Sequence, residues 1–179
     1  MRCRKLFVWI PKPNGKMKDL LTKDVVWNKL KVVKDPEIPT LSLVDMGIIR
    51  ELNIEGDSVE VVITPTFVGC PAIEMMKDEI ESALLSMGFQ NVLVRVSFSY
   101  QWNSDMINEA GRKSLVEFGL APPPQHQLIE DIEILERIPC PACKGTNTEL
   151  RNSFGPTLCR SIHYCNDCKE AFQQFKPVN

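Results

Sequence analysis

Apolar residues change their period several times along the first two thirds of the chain, and each change marks an element. From Thr22, a side chain suited to capping a helix, Val25, Val26, Trp27, Leu30 and Val33 recur at helical spacing. The run Asp35-Pro36-Glu37-Ile38-Pro39 stops that helix, because a residue before proline is pushed out of the helical region. The stretch from there through Asp45-Met46-Gly47 reads as a loop. Segments 48–54 and 58–64 then read as two strands joined by Glu55-Gly56-Asp57, a tight hairpin signal. After Thr64-Pro65-Thr66 and a Gly69-Cys70-Pro71 turn, Ile73, Met76, Ile80, Ala83, Leu84 and Met87 mark one face of a helix that Gly88 closes. Residues 91–100 alternate again, with Val92, Val94, Val96 and Phe98 on one face of a third strand, and 104–118 returns to a helix ended by Gly119. The order helix, strand, strand, helix, strand predicts an α/β (α+β) domain over 22–120 on a short mixed sheet.

Beyond it the pattern breaks. Pro122-Pro123-Pro124 opens a stiff Pro-rich linker over 121–132, since polyproline stays extended without internal hydrogen bonds. Residues 133–179 hold five of the seven cysteines, including the pairs Cys140/Cys143 and Cys165/Cys168 with 21 residues between them. Each Cys-x-x-Cys turn aims two thiolates at one ion, and two such turns close a tetrahedral site with no open position. So short a unit has little core of its own, so metal binding supplies its folding energy. The chemistry favours structural zinc over an iron centre of rubredoxin or cluster type or a redox dithiol. Lys144, where a glycine is usual, alters the first turn. Cys159 and His163 lie beside the second pair; four thiolates already fill the site, so Cys159 reads as a small buried residue on a ribbon strand and His163 as a packing or surface residue.

Composition adds limits. Net charge is −2, but residues 1–31 carry nine Lys/Arg against Asp19 and Asp24, while 32–120 carry six against fourteen Asp/Glu. An acidic body repels nucleic acid, and six basic against five acidic groups over 133–179 make no phosphate-binding surface. No apolar run is long enough to cross a membrane. Residues 1–21 read as a flexible arm; the run from Leu6 to Ile10 is shorter than a signal-peptide core and meets Pro11 and Pro13, which leaves secretion a minor alternative. Paired thiols without a signal point to the cytoplasm.

One cysteine stands apart. Cys70 falls where a strand hands over to a helix, with Pro71 at a position where proline opens helices. A thiol at a helix N-terminus is favoured as thiolate, which accepts sulfur, ligates soft iron or attacks an electrophile. A capping and packing role explains the residue equally well. Thr64 and Thr66 are placed to donate hydrogen bonds at the same corner, and Asp35, Glu37 and Asp45 lie in loops that border it, though turns and caps account for these side chains too. The two histidines, His126 and His163, and the lack of a Gly-rich phosphate loop or nucleophile elbow give no support to a hydrolase or nucleotide enzyme, and no independent catalysis is expected.

The motif Asp35-Pro-Glu-Ile-Pro through Asp45-Met-Gly-Ile-Ile, with Thr64-Pro-Thr and Cys70-Pro71, resembles the small domain shared by cytosolic iron-sulfur assembly factors and their bacterial SUF-associated relatives. The continuation is Trp102-Asn-Ser-Asp105, Gly111-Arg112, Phe118-Gly-Leu-Ala-Pro122-Pro123, Phe154-Gly-Pro-Thr157, Cys159 and Phe172 to Lys176. Taken whole, the chain is similar to the PaaD-type family, the D subunits of the phenylacetyl-CoA oxygenase (ring epoxidase) system, over all but residues 1–21. The resemblance implies an accessory subunit that assists assembly or repair of the metal centres held by other subunits. It places the family's hallmark cysteine at Cys70, its acidic motif at Asp35, Glu37 and Asp45, its threonines at Thr64 and Thr66, and its ribbon ligands at the two pairs. Zinc is the implied structural metal, with iron or a transient iron-sulfur cluster as cargo. Implied partners are other oxygenase subunits or iron-sulfur assembly proteins, with a homodimer left open and neither nucleic acid nor membrane. A non-catalytic ribbon adaptor bridging oxygenase subunits, and a general iron-sulfur assembly factor, are the alternatives.

Overall fold

The computed structural model describes residues 21–67, 69–125 and 138–178; the N-terminal arm, Cys3, His126 and most of the linker lie outside the described residues. Helix α1 (Lys23–Leu30) starts where Thr22 Oγ1 accepts the Val25 N–H at 3.4 Å, and it buries Val26 and Leu30. The expected loop after it is instead a hairpin of β1 (Lys34–Asp35) and β2 (Ile38–Ser42). Asp35 Oδ1 accepts the N–H groups of Glu37 and Ile38, both at 2.9 Å, which turns the chain over Pro36. In a two-stranded ribbon an outward-facing backbone nitrogen needs no partner, so Pro39 is tolerated within β2.

Strands β3 (Ile49–Glu55) and β4 (Ser58–Ile63) form the predicted antiparallel hairpin, and β4 pairs in parallel with β5 (Asn91–Val96) after the crossover helix α2 (Ile73–Leu85). This is the mixed sheet expected, with the crossover that parallel pairing requires. Central β4 buries Val59, Val61, Val62 and Ile63, and α2 lays Met76, Ile80 and Leu84 on the main core. β5 stops earlier than the alternation suggests, and Phe98, past its end, is 64% exposed. The helix expected over 104–118 is split: a 3-10 turn (Ser104–Met106) gives way to extended Ile107, and α3 (Glu109–Glu117) restarts where Asn108 Oδ1 accepts the Gly111 N–H at 2.9 Å. A Cβ on Gly111 would sit 2.7 Å from the Asp45 carbonyl oxygen, so the glycine lets α3 approach the β2–β3 loop.

The C-terminal sheet runs in the order β6, β9, β8, β7, from β7 (Thr148–Asn152), β8 (Arg160–Cys165) and β9 (Ala171–Phe175), with β6 (Leu120–Ala121) added from the stretch before the prolines. β6 pairs in parallel with β9 through Leu120 and Ala121 opposite Gln173 and Gln174. Phe175 belongs to the main core, edge-on to Trp102 at 6.0 Å, and the Val178 carbonyl accepts from Ser104 N–H at 2.9 Å. The ribbon is therefore anchored into the domain that precedes it. Among the described residues no helix is long and apolar enough to cross a membrane.

Candidate functional site

Two centres stand about this seam, one in the ribbon and one beneath it. In the ribbon, each Cys-x-x-Cys turn has the same backbone. Lys144 N–H donates to the Cys140 carbonyl and Lys169 N–H to that of Cys165, while the N–H groups of Cys140 and Cys165 reach the carbonyls of Gly145 and Glu170, all at 2.9 Å. Lys144 (φ 64°) and Lys169 (φ 65°) both take the left-handed conformation that a glycine would take without strain. The alteration expected at Lys144 is not seen: the lysine takes the backbone a glycine would, and the two knuckles match. Ligand atoms of Cys140, Cys143, Cys165 and Cys168 lie within 4.8 Å of one another, with Cys140 Sγ to Cys168 Sγ at 3.7 Å and Cys143 Sγ to Cys165 Sγ at 3.6 Å. A tetrahedron with zinc–sulfur bonds of about 2.3 Å has corners about 3.8 Å apart. The four sulfurs fit a closed metal site.

His163 is fully buried, with Nε2 2.9 Å from Ser161 Oγ and its ring stacked on Phe172, and burial holds its pKa below the ordinary value. It is a packing residue. Cys159 is not the buried ribbon-strand residue expected: it is half-buried, precedes β8, and packs against the main core rather than the four-cysteine cluster.

The second centre is a cavity of about 320 Å³ between the β1–β2 turn, the segment leading into α2, and the ribbon loop 154–159. Asp35, Glu37, Thr66 and Cys70 line it from one side, and Thr157 and Cys159 from the other. Cys70 does not open α2 as expected. The helix begins at Ile73, three residues on, with Ala72 as its cap and no side chain closing it. Burial first, and then the charges of Asp35 and Glu37, push the Cys70 thiol above its ordinary value, against the N–H groups of Ala72 and Ile73. The expected stabilised thiolate is replaced by a thiol whose pKa is raised, first by burial and then by the two carboxylates that face it.

Asp35 is only 7% exposed, and burial raises its pKa against the two N–H groups it accepts. Glu37 Oε2 lies 3.8 Å from Cys159 Sγ. Cys159 is raised too, by burial first and then by Glu37 and Asp35, while the Thr157 hydroxyl, 3.1 Å away, lowers it.

Thr64 and Asp45 stay outside this cavity. The buried Thr64 hydroxyl donates to the Tyr100 carbonyl at 2.7 Å, tying β4 to the segment after β5. Asp45 accepts from Ser42 Oγ at 2.6 Å and Asn108 Nδ2 at 2.9 Å; burial raises its pKa, but these hydrogen bonds bring it below the ordinary value. Cys159 is the cavity residue that sequence reasoning missed. Its signal was arithmetic: a fifth cysteine in a module whose ion takes four.

Two families match the chain: "Iron-sulfur cluster assembly protein" over residues 23–96 and "PaaD zinc beta ribbon domain" over residues 125–176. A Porphyromonas gingivalis protein named Fe-S protein maturation auxiliary factor is 30% identical over 102 residues, covering 56% of this chain and 93% of its own. Among solved structures, a domain of unknown function from Bacillus anthracis aligns with TM-score 0.49 and 18% identity, over 57% of this chain and 97% of that one. A protein of Escherichia coli (strain K12), named as the D subunit of 1,2-phenylacetyl-CoA epoxidase, is 33% identical over 153 residues, 86% of this chain and 92% of its own length. With that relative matched over 86% of this chain and 92% of its own length, and the two family models lying along the same chain, the chain belongs to the family of 1,2-phenylacetyl-CoA epoxidase D subunits.

Proposed function

We propose that the protein is an accessory maturation subunit of a cytoplasmic phenylacetyl-CoA ring oxygenase, and that Cys70 handles iron or sulfur for the metal centres of its partner subunits. In this reading residues 22–120 act as the cargo-handling domain and 133–179 as a zinc ribbon, with Cys140, Cys143, Cys165 and Cys168 holding a zinc ion that supplies fold, not chemistry. The observation that carries it is Cys70 in a partly enclosed cavity faced by Asp35 and Glu37, inside the segment that matches the iron-sulfur cluster assembly family.

The electrostatics suit cargo that comes and goes. Two carboxylates that disfavour the empty thiolate attract a divalent iron, and the arriving cation in turn favours loss of the thiol proton. Cys70 thus ionises as the cargo binds. Thr66 lines the same space and is placed to donate a hydrogen bond to a sulfur held there. Asp45 and Thr64 act on the frame, not on the cargo.

The test is iron loading of the partners. Oxygenase subunits produced in cells lacking this chain should contain less iron per subunit at unchanged protein levels, the wild-type chain should restore it, and Cys70→Ala should not. Full loading with Cys70→Ala would refute the reading and favour the adaptor, in which the ribbon and the acidic domain bridge subunits without thiol chemistry.

A further inference from the structure

The ribbon loop carries a thiol into the Cys70 cavity and fixes it there from several sides. The backbone carbonyl of Cys159 accepts from Lys176 N–H at 2.8 Å, just past the strand that runs into the main core. The next residue, Arg160, is 7% exposed; its Nη2 donates to the Glu37 carbonyl at 2.7 Å, and its backbone bonds Thr157 and Gly155 at 3.2 and 2.8 Å. A Cβ on Gly155 would lie 3.0 Å from the Arg160 Cβ and carbonyl oxygen, so the turn packs closely against Arg160 at this glycine. The same arginine that positions Cys159 therefore holds the residue whose carboxylate faces it. Nothing in the ribbon's own metal site requires this arrangement, because four other cysteines complete that site.

Resting on the reading of Cys70 above, we propose that Cys159 is the second thiol of the cargo site, and that Cys70, Cys159 and the Glu37 carboxylate together ligate a thiophilic divalent cation of the iron(II) type across the seam between domain and ribbon. Two sulfurs and one oxygen suit a borderline cation better than magnesium or calcium, which take oxygen ligands. Binding is written M²⁺ + 2 R–SH → M(SR)₂ + 2 H⁺, with the two protons passing to solvent and no change of oxidation state. Among the described residues the only set of three or more such ligands within 4.8 Å of one another is the ribbon's, so the Cys70 set is open in this conformation. The cation draws it together. Loop 154–159 also brings Phe154 and Leu158, 64% and 59% exposed, to the cavity rim.

The experiment uses the full chain with its ribbon loaded with zinc, handled without oxygen, and iron(II) as the probe in equilibrium dialysis. Zinc holds a four-thiolate site against iron(II), so the ribbon does not take up the probe. One iron(II) per chain is expected beyond the zinc, with affinity falling at least about tenfold in Cys159→Ser, since even losses outside the ligand set reach that size. In the wild type, iron(II) should also protect both Cys70 and Cys159 from alkylation, read by mass spectrometry, a measurement that needs no variant to fold. Wild-type affinity in Cys159→Ser, or protection of Cys70 alone, overturns the two-thiol site; loss of binding in Cys70→Ser then leaves the Cys70 reading standing. Undiminished binding in both variants overturns both.

Discussion

Cys70, Cys159, Asp35 and Glu37 line one cavity, and burial together with the two carboxylates raises both thiols' affinity for protons. Both thiols have pKa values above the ordinary one, burial being the first cause in each. Below that raised value the thiol form dominates, so Cys70 and Cys159 should alkylate more slowly at pH 7.5 than an unstructured cysteine peptide. Glu37 acts on both, and Glu37→Gln should therefore speed both reactions. Faster alkylation of wild-type Cys70 than of the peptide would contradict the geometry. Asp35 has the same sign: its pKa is raised, so its neutral form favours the fold below the unfolded value of about 3.9, and that contribution is lost as pH rises through the folded value. Asp35→Asn keeps an oxygen for the Glu37 and Ile38 N–H groups and drops the charge, so at neutral pH it should unfold no more easily than wild type. Asp35→Ala, which leaves those donors without their acceptor, should lose about 1–3 kcal/mol in denaturant unfolding. At this scale the residue types were legible in the sequence and the sign of their coupling was not. A cysteine predicts a stabilised thiolate only when it opens a helix at an exposed end, and here α2 starts three residues on, burial raises the thiol first, and the carboxylates that add to it come from a turn thirty-odd residues away.

Among the elements, those with a strong period were readable: α1, the β3–β4 hairpin, α2 and β5 appear in the expected order. The β1–β2 hairpin was hidden because its two prolines mimic a helix stop followed by loop, and what makes it a hairpin is the Asp35 side chain bonding its own backbone. The 104–118 segment was hidden for a related reason: Asn108 caps a fresh start, and a local cap outweighs a continuing apolar pattern. Gly111 tests this packing. Alanine is favoured over glycine by about 1 kcal/mol in a helix, yet here the added Cβ meets the Asp45 carbonyl oxygen at 2.7 Å and Ile107 Cγ2 at 2.9 Å. Overpacking of that kind costs about 1–3 kcal/mol, so Gly111→Ala should lower the unfolding midpoint. A raised midpoint would mean that α3 can shift off the β2–β3 loop without strain.

Across the whole molecule, the linear division into domain, linker and ribbon conceals a shared interior. Periodicity finds each unit but cannot say that β6 joins the ribbon sheet, or that Phe175 completes the core against Trp102. Because the ribbon's last strand is part of that core, removing its ion should destabilise more than the tail. Chelation, or Cys143→Ser, should lower the unfolding temperature of the whole chain in one transition; two separate transitions, with the first half unaffected, would show that the units are independent. This coupling also places a ribbon thiol over a domain cysteine, and the central claim is that this domain cysteine handles iron or sulfur. The most direct measurement is anaerobic reconstitution of the zinc-loaded protein with iron and sulfide, followed by visible absorption and iron determination on wild type and Cys70→Ser. An iron-dependent chromophore that is present in the wild type and lost in Cys70→Ser is the predicted result; equal iron and an equal spectrum in both proteins would contradict it.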